Sequence, residues 1–316
     1  VAEVENIEVL FGSDGSTDST NVILTQAAEK YSWLKPYIFP ERRGKATVLN
    51  ELAKEAKGDV FVLGDADHFY SPDAIAAIST CFTNPRVGGA GGTVIMNNAD
   101  GASGVDEAAY YAYDVPIKTD EGDCGCMIGA HGGLMAIRAD VWEDIPVAAG
   151  FTDDFFISML PLEKGYAVVS CRDAISTTES AASIESEFRR KVRFSSTSFA
   201  TLARFKPLLF KKPLLVAYCF WSHRVIKWFL WFFLIIAFIS NKILAQAHIF
   251  FLICFIIQCS IYVTALLGLV MKPFVKLPSI LSIPTYFVIS NAALLTGFVR
   301  YLRGKQSTQW KPQRTQ

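Results

Sequence analysis

Short apolar runs alternate with helix-period stretches through the first two thirds of the chain, and the residues between them are turn formers. Ile7–Phe11 reads as a strand, Ser13–Asp18 as a turn, and Asp18 or Ser19 as the cap of a helix reaching about Lys30. Tyr37–Phe39 is a short strand, followed by the loop Arg42–Lys45. Val48, Leu49, Leu52, Ala53 and Ala56 then share one helical face, which Gly58 ends. Val60–Leu63 is a buried-strand run, and Ser71-Pro72-Asp73 opens another helix. Strands near Val87–Met96 and Leu134–Ile137 follow, then the glycine-bearing loop Gly150–Asp154. A helix over Phe155 to about Lys164, a strand Tyr166–Cys171 and a long polar helix over about Ile184–Ala203 complete the series. Such alternation predicts the α/β class, with a doubly wound, mainly parallel sheet over residues 1–205.

Beyond residue 205 the pattern changes. Phe229–Ile239 and Ile243–Val270 are apolar enough for hydrocarbon, and the second is long enough to cross it with tilt. His223, Arg224 and Lys227 would each cost a few kcal/mol at mid-bilayer. Residues 206–222 are therefore expected in the interface, with the first span starting near His223 and Lys227 snorkelling. Leu277–Leu302 is interrupted by Pro278 and Pro284 and carries Ser282, Ser290, Asn291 and Thr296. Lys272 and Lys276 precede it; Arg300, Arg303 and Lys305 end it. Basic residues at both ends point to a re-entrant or interfacial element rather than a crossing, which leaves the tail 303–316 cytosolic. The membrane region so read covers 223–302, with two spans and this third segment.

A net charge of zero argues against nucleic-acid binding. The seven cysteines are odd in number, and Cys124-Gly-Cys126 lacks zinc-knuckle spacing, so reduced thiols are expected. No signal peptide is read at the start of the chain, which reaches a strand within a few residues.

The chemistry concentrates where apolar runs end. Asp65 and Asp67 follow the strand Val60–Leu63, at the carboxyl end where open α/β sheets bind ligands. Two carboxylates this close repel unless a cation lies between them, and a divalent ion with oxygen ligands, Mg²⁺ or Mn²⁺, suits them. His68 beside them reads as a neighbour that shapes the pocket. Asp14, just past a strand, can accept hydrogen bonds from a nucleoside. Lys45, next to Gly44, offers a point charge for a diphosphate. Asp153 and Asp154 stand where a helix begins, so one can cap while the other faces a cleft. Gly129–Gly133 is a glycine-rich loop in which His131 and Gly132 are placed to approach a sugar. Arg190 and Arg193 share a helical face, and Phe194 beside them offers a stacking surface.

In order, these motifs resemble the membrane-anchored family-2 glycosyltransferases, which share a catalytic fold with cellulose, chitin, hyaluronan and poly-N-acetylglucosamine synthases. Ser13–Asp18 is similar to that family's nucleotide-recognition turn, Arg43-Gly-Lys45 to its donor-phosphate loop, and Asp65-Ala-Asp67 to its metal-binding Asp-x-Asp. Thr152-Asp153-Asp154 is similar to its Thr-Glu-Asp, with Asp153 in place of Glu. Arg190–Phe194 resembles its Gln/Arg-x-x-Arg-Trp segment, and Trp310 with Arg314 its terminal tail.

The resemblance implies a GT-A-like catalytic domain that begins at the second strand of the family's sheet. It implies a nucleotide-sugar donor, most simply a UDP-sugar, held at Asp14, Lys45 and Asp65, and a metal at Asp65 and Asp67. Asp154 would be the base. A saccharide or lipid-linked acceptor would meet His131, Gly132, Asp153, Arg190, Arg193 and Phe194. The implied activity is inverting transfer of a hexosyl or N-acetylhexosaminyl group at the cytosolic face of the plasma or inner membrane, in β-linked polysaccharide synthesis. A single-transfer polyprenyl-phosphate glycosyltransferase and an inactive scaffold or sugar-binding fragment are the alternatives. No motif speaks to accessory export subunits.

Overall fold

The computed structural model describes residues 7–97, 102–179, 184–210, 213–271 and 278–304. The expectations for Lys272, Lys276, Lys305, Trp310 and Arg314 lie outside these residues.

The chain divides into two compact units. One takes residues 1–183 and 200–223, the other 184–199 and 224–306. In the first unit, β1 (Val9–Asp14), α1 (Thr20–Lys30), β2 (Leu34–Phe39), α2 (Lys45–Glu55), β3 (Val60–Leu63) and β4 (Phe69–Tyr70) come first. They are followed by α3 (Ala74–Thr80), β5 (Val87–Asn97), α4 (Ala102–Asp123), β6 (Met135–Arg138), α5 (Asp153–Lys164) and β7 (Ala167–Glu179). The α/β class and the order of elements are as expected; the helix α4 is an addition.

The sheet is mixed rather than mainly parallel. β1 pairs with β2 in parallel as one ribbon, and five strands pair in the order β3-β6-β5-β7-β4. Within the five, only β5 and β7 run parallel; β6 is antiparallel to β3 and to β5, and β4 to β7. Two features make this possible. β6 arrives from the 124–134 loop, not from a helical crossover of the kind parallel pairing needs. β4 is a two-residue strand laid along the edge of β7. The core of this unit is the seam between α3 and the sheet, where Ala74, Ile78, Ala90, Leu134, Ala136 and Ala174 are buried. Small residues at Ala74, Ala90, Ala136 and Ala174 let the helix lie close to the strands.

After β7 come α6 (Ile184–Phe205), α7 (Leu214–Cys219), a π-helical turn (Phe220–Val225), α8 (Ile226–Trp228), α9 (Leu230–Leu244), α10 (Ile249–Met271) and α11 (Ser279–Leu302). α10 and α11 are long and apolar enough to cross a membrane. α9 has 15 residues, which at 1.5 Å each give roughly 22 Å, short of the ~30 Å hydrocarbon core. A polar clasp joins α9 to α10, with Gln258 donating to Leu234 O at 3.0 Å and to Tyr262 Oη at 2.8 Å. Pro284 lies inside α11, which nonetheless runs as one helix with Pro278 at its N-cap. Residues 184–199 of α6 pack on α11. Ser195 Oγ donates to Leu294 O at 3.0 Å, Lys191 Nζ to Ser290 Oγ at 3.0 Å, and the Lys191 ammonium sits 3.7 Å from the Tyr286 ring centroid. Gly297 makes this approach close, since a Cβ there would lie 2.4 Å from Ser195 Cβ.

Candidate active site

Four loop and helix ends of the first unit meet: the start of α2, the end of β3, the loop before β6 and the start of α5. Lys45, at the first turn of α2, donates to Asp65 Oδ1 at 2.5 Å and pairs with Asp153 Oδ2 at 2.7 Å. Burial works against the ammonium, but these two carboxylates outweigh it and hold Lys45 above the usual lysine range. Asp14 fixes the loop in front of Lys45. Its Oδ1 accepts the Arg43 N–H at 2.6 Å and its Oδ2 the Gly44 N–H at 2.8 Å. Asp18 accepts the Thr20 N–H at 3.0 Å and so stays within its own turn.

Neither acid of the Asp153-Asp154 pair caps α5. Thr152 holds the N-cap position without a side-chain bond, and the two acids occupy the first turn, where the helix dipole favours negative charge. Asp153 turns to Lys45, and Asp154 Oδ1 accepts the Phe155 N–H at 2.7 Å. Desolvation in the cleft, followed by repulsion from Asp153, pushes the Asp154 carboxyl up to about 6, against the pull of Lys45, Lys118 and the Phe155 N–H. Asp154 is thus poised near neutrality, as a base that takes a proton must be.

Gly132 sits between the two acidic centres. A Cβ there would lie 3.2 Å from Asp154 Oδ2 and 3.4 Å from Asp65 Oδ2, so the loop backbone occupies the ground between the base candidate and the Asp-x-Asp pair. His131, one residue earlier, is 3.2 Å by its Nδ1 from Lys118 Nζ. Lys118 in turn pairs with Asp114 at 3.1 Å. His223 places one ring nitrogen 3.0 Å from Asp114 and the other 2.9 Å from Glu121, whose second oxygen accepts the Ile128 N–H at 3.1 Å. Asp114, Lys118 and Glu121 lie at i, i+4 and i+7, hence on one face of α4. This ionic face fixes the 126–133 loop beneath the cleft.

Asp65, Asp67 and His68 each offer one ligand atom, all within 4.8 Å of one another. Two carboxylate oxygens and an imidazole nitrogen are a donor set that suits a divalent cation. Tyr70 stands over Gly64 with its phenol pushed up to about 12 by burial and by Asp65. Neither Tyr70 nor Lys118 carries a motif, so sequence reading passes over both. Arg190, Arg193 and Phe194 belong to the second unit, on the segment of α6 that packs on α11; Arg190 and Phe194 are exposed there.

Residues 2–142 match the family model described as Glycosyl transferase family 2. Among solved structures, the mannosyltransferase PcManGT from Pyrobaculum calidifontis, in complex with GDP-Man and Mn²⁺, is similar at TM-score 0.66 and 20% identity, over 95% of this chain and 79% of that one. Glucosyl-3-phosphoglycerate synthase from Mycobacterium tuberculosis, with Mn²⁺, UDP-glucose and phosphoglyceric acid, gives TM-score 0.41 and 13% identity over 62% of this chain and 67% of that one. No curated protein matches the chain. Residues 2–142 therefore carry a glycosyltransferase family 2 domain on a GT-A-like α/β fold.

Proposed function

We propose that the protein is an inverting, metal-dependent glycosyltransferase that moves a hexosyl or N-acetylhexosaminyl group from a nucleotide-sugar to a saccharide or lipid-linked acceptor at a membrane surface. The observation that carries this reading is the convergence of Asp154 and Asp65 on Gly132. Direct displacement needs a base on one side of the anomeric carbon and charge neutralisation of the leaving diphosphate on the other.

Asp65 and Asp67 would hold Mg²⁺ or Mn²⁺, which when bound neutralises the diphosphate. Lys45 contributes a second positive charge by exchanging Asp65 and Asp153 for phosphate oxygens. Asp14 supports donor binding by keeping the 43–45 backbone in place and has lone pairs left for a nucleoside. Asp153 keeps Lys45 on the donor side until the diphosphate arrives. Asp154 accepts the proton of the acceptor hydroxyl as that oxygen attacks, so an α-linked donor gives a β-linked product. His131 and Gly132 line the acceptor side, and Arg190, Arg193 and Phe194 serve a growing saccharide.

Phe210, Leu214, Tyr218 and Trp221 are exposed around α7, with Phe210 at 77%. Aromatic and leucine side chains so displayed suit the headgroup layer of a bilayer, which supports an interfacial role for residues 206–222. The packing of α6 on α11 supports the re-entrant reading of α11. A straight crossing would carry the neighbouring Arg190 and Arg193 toward hydrocarbon, at about 2.5–3.5 kcal/mol each near the midplane. With α9 and α10 as a hairpin, the catalytic unit and the tail share the cytosolic side. Polysaccharide synthesis at the plasma or inner membrane fits this arrangement.

A panel of UDP- and GDP-sugars, with and without Mn²⁺, tests the reading. GDP-sugars belong in it because the mannosyltransferase neighbour is in complex with GDP-Man and Mn²⁺. Metal-dependent release of a nucleoside diphosphate from one donor is the expected result; no turnover and no binding of any donor would sink it.

A further inference from the structure

His68 is held in a way that a residue merely filling space would not require. Its Nδ1 lies 2.6 Å from the hydroxyl of Ser176, which is fully buried on β7. Its ring lies flat against the loop before β6, where a Cβ on Gly133 would come within 2.1 Å of Cε1. Its own N–H donates to Asp65 O at 3.2 Å, which closes the turn that brings residues 65–68 together. The ring is therefore pinned by a buried hydroxyl, by backbone and by the turn. With Nδ1 engaged by Ser176, Nε2 is the nitrogen left to bind, and a ring nitrogen of His68 lies within 4.8 Å of carboxylate oxygens of Asp65 and Asp67. Ligands of a first-row divalent ion at about 2.1 Å stand roughly 3–4.2 Å apart. The cluster thus needs less than an ångström of contraction.

We propose that His68, through Nε2, is the third protein ligand of the divalent cation, with Ser176 as the residue that orients it, and that the site thereby prefers Mn²⁺ to Mg²⁺. This rests on the glycosyltransferase reading above and adds the identity of the metal to it. Two carboxylates alone do not separate the two ions. An imidazole nitrogen does, because Mg²⁺ keeps a hard, all-oxygen octahedron whereas a transition-metal ion accepts nitrogen. A hydroxyl on the second ring nitrogen is the outer-shell partner that a ligating histidine takes.

The test is pulsed electron paramagnetic resonance of Mn²⁺ on the full chain in detergent, with GDP or UDP present. Nitrogen-14 modulation from one imidazole is expected in the unaltered protein and should vanish in His68→Gln. Titration should show Mn²⁺ affinity falling on the order of 10- to 100-fold in His68→Gln and about tenfold in Ser176→Ala, with Mg²⁺ affinity changed less than about threefold in either. Mn²⁺ bound beside the diphosphate without nitrogen modulation would reject His68 as a ligand and leave the glycosyltransferase reading standing. Unchanged Mn²⁺ affinity in His68→Gln would reject it equally. Failure of Mn²⁺ to bind with any nucleoside diphosphate would reject both.

Discussion

Lys45 and Asp153 form an ion pair at 2.7 Å, and the same ammonium donates to Asp65 at 2.5 Å. One side chain thus ties the start of α2 to the start of α5 and to the end of β3. A cation held between two carboxylates is a stand-in for charges that a donor would bring. If Lys45 serves a diphosphate, Lys45→Gln should weaken nucleoside diphosphate binding by roughly 10- to 100-fold, the worth of a hydrogen bond to a charged group. Its side chain is half exposed, so thermal stability should hardly move. Isothermal titration and thermal unfolding of the variant check both statements.

The raised Asp154 carboxyl sets a pH dependence with a definite sign. A base must be ionised, so transfer should fall about tenfold per unit as pH drops below about 6. Stability runs the other way for this group. A carboxyl held above its unfolded value favours the protonated folded state, so its contribution is lost as pH rises through about 6 and is fully present below 3.8. Loss of rate near pH 6 with no loss of fold, followed by circular dichroism, is the expected pair of results.

Asn50 makes two buried bonds with one residue, donating to Ile145 O at 2.9 Å and accepting the Ile145 N–H at 2.8 Å. It fastens α2 to the chain after β6. Asn50→Leu leaves a buried N–H and C=O without partners and should cost about 2–5 kcal/mol. A lowered melting temperature and an unchanged pH profile of the residual activity would separate this structural role from a catalytic one.

Topology is testable at Arg303, which is exposed at the end of α11. In Arg303→Cys, a membrane-impermeant maleimide applied to intact cells should not label the new thiol. It should label it after permeabilisation. Labelling from outside would show that α11 crosses.

The helices and strands with a clean period were legible in the sequence. β3 spans Val60–Leu63 and α2 begins at Lys45, both as read from the apolar pattern. α4 was not legible, and its packing explains why. Asp114, Lys118 and Glu121 occupy the face that a helix normally fills with apolar residues, so the stripe that marks a buried helix is absent. The continuation of β7 past Cys171 was hidden for a similar reason. Polar Arg172 and Asp173 fall at an irregularity where the register against β5 jumps between Gly92 and Thr93. In the site, the acidic pairs were visible as sequence neighbours. The turn of Asp153 toward Lys45 was not, because it depends on the folded juxtaposition of residues a hundred positions apart. The expected cap at Asp153 gave way to that ion pair. His68 illustrates the same limit, since its partner Ser176 lies on a distant strand.

The most direct measurement of the central claim compares Asp154→Asn and Asp153→Asn for donor affinity and transfer rate side by side. Asparagine keeps the size of Asp154 and one acceptor oxygen for the Phe155 N–H, and removes the basicity. The account predicts that Asp154→Asn binds the nucleotide-sugar nearly as well as the unaltered protein and transfers about 10²–10⁴-fold more slowly, roughly 3–5 kcal/mol of barrier. Asp153→Asn should lose only the partner of Lys45 and stay within about tenfold in rate. Normal turnover by Asp154→Asn, with Asp153→Asn inactive, would contradict the account and move the base by one residue.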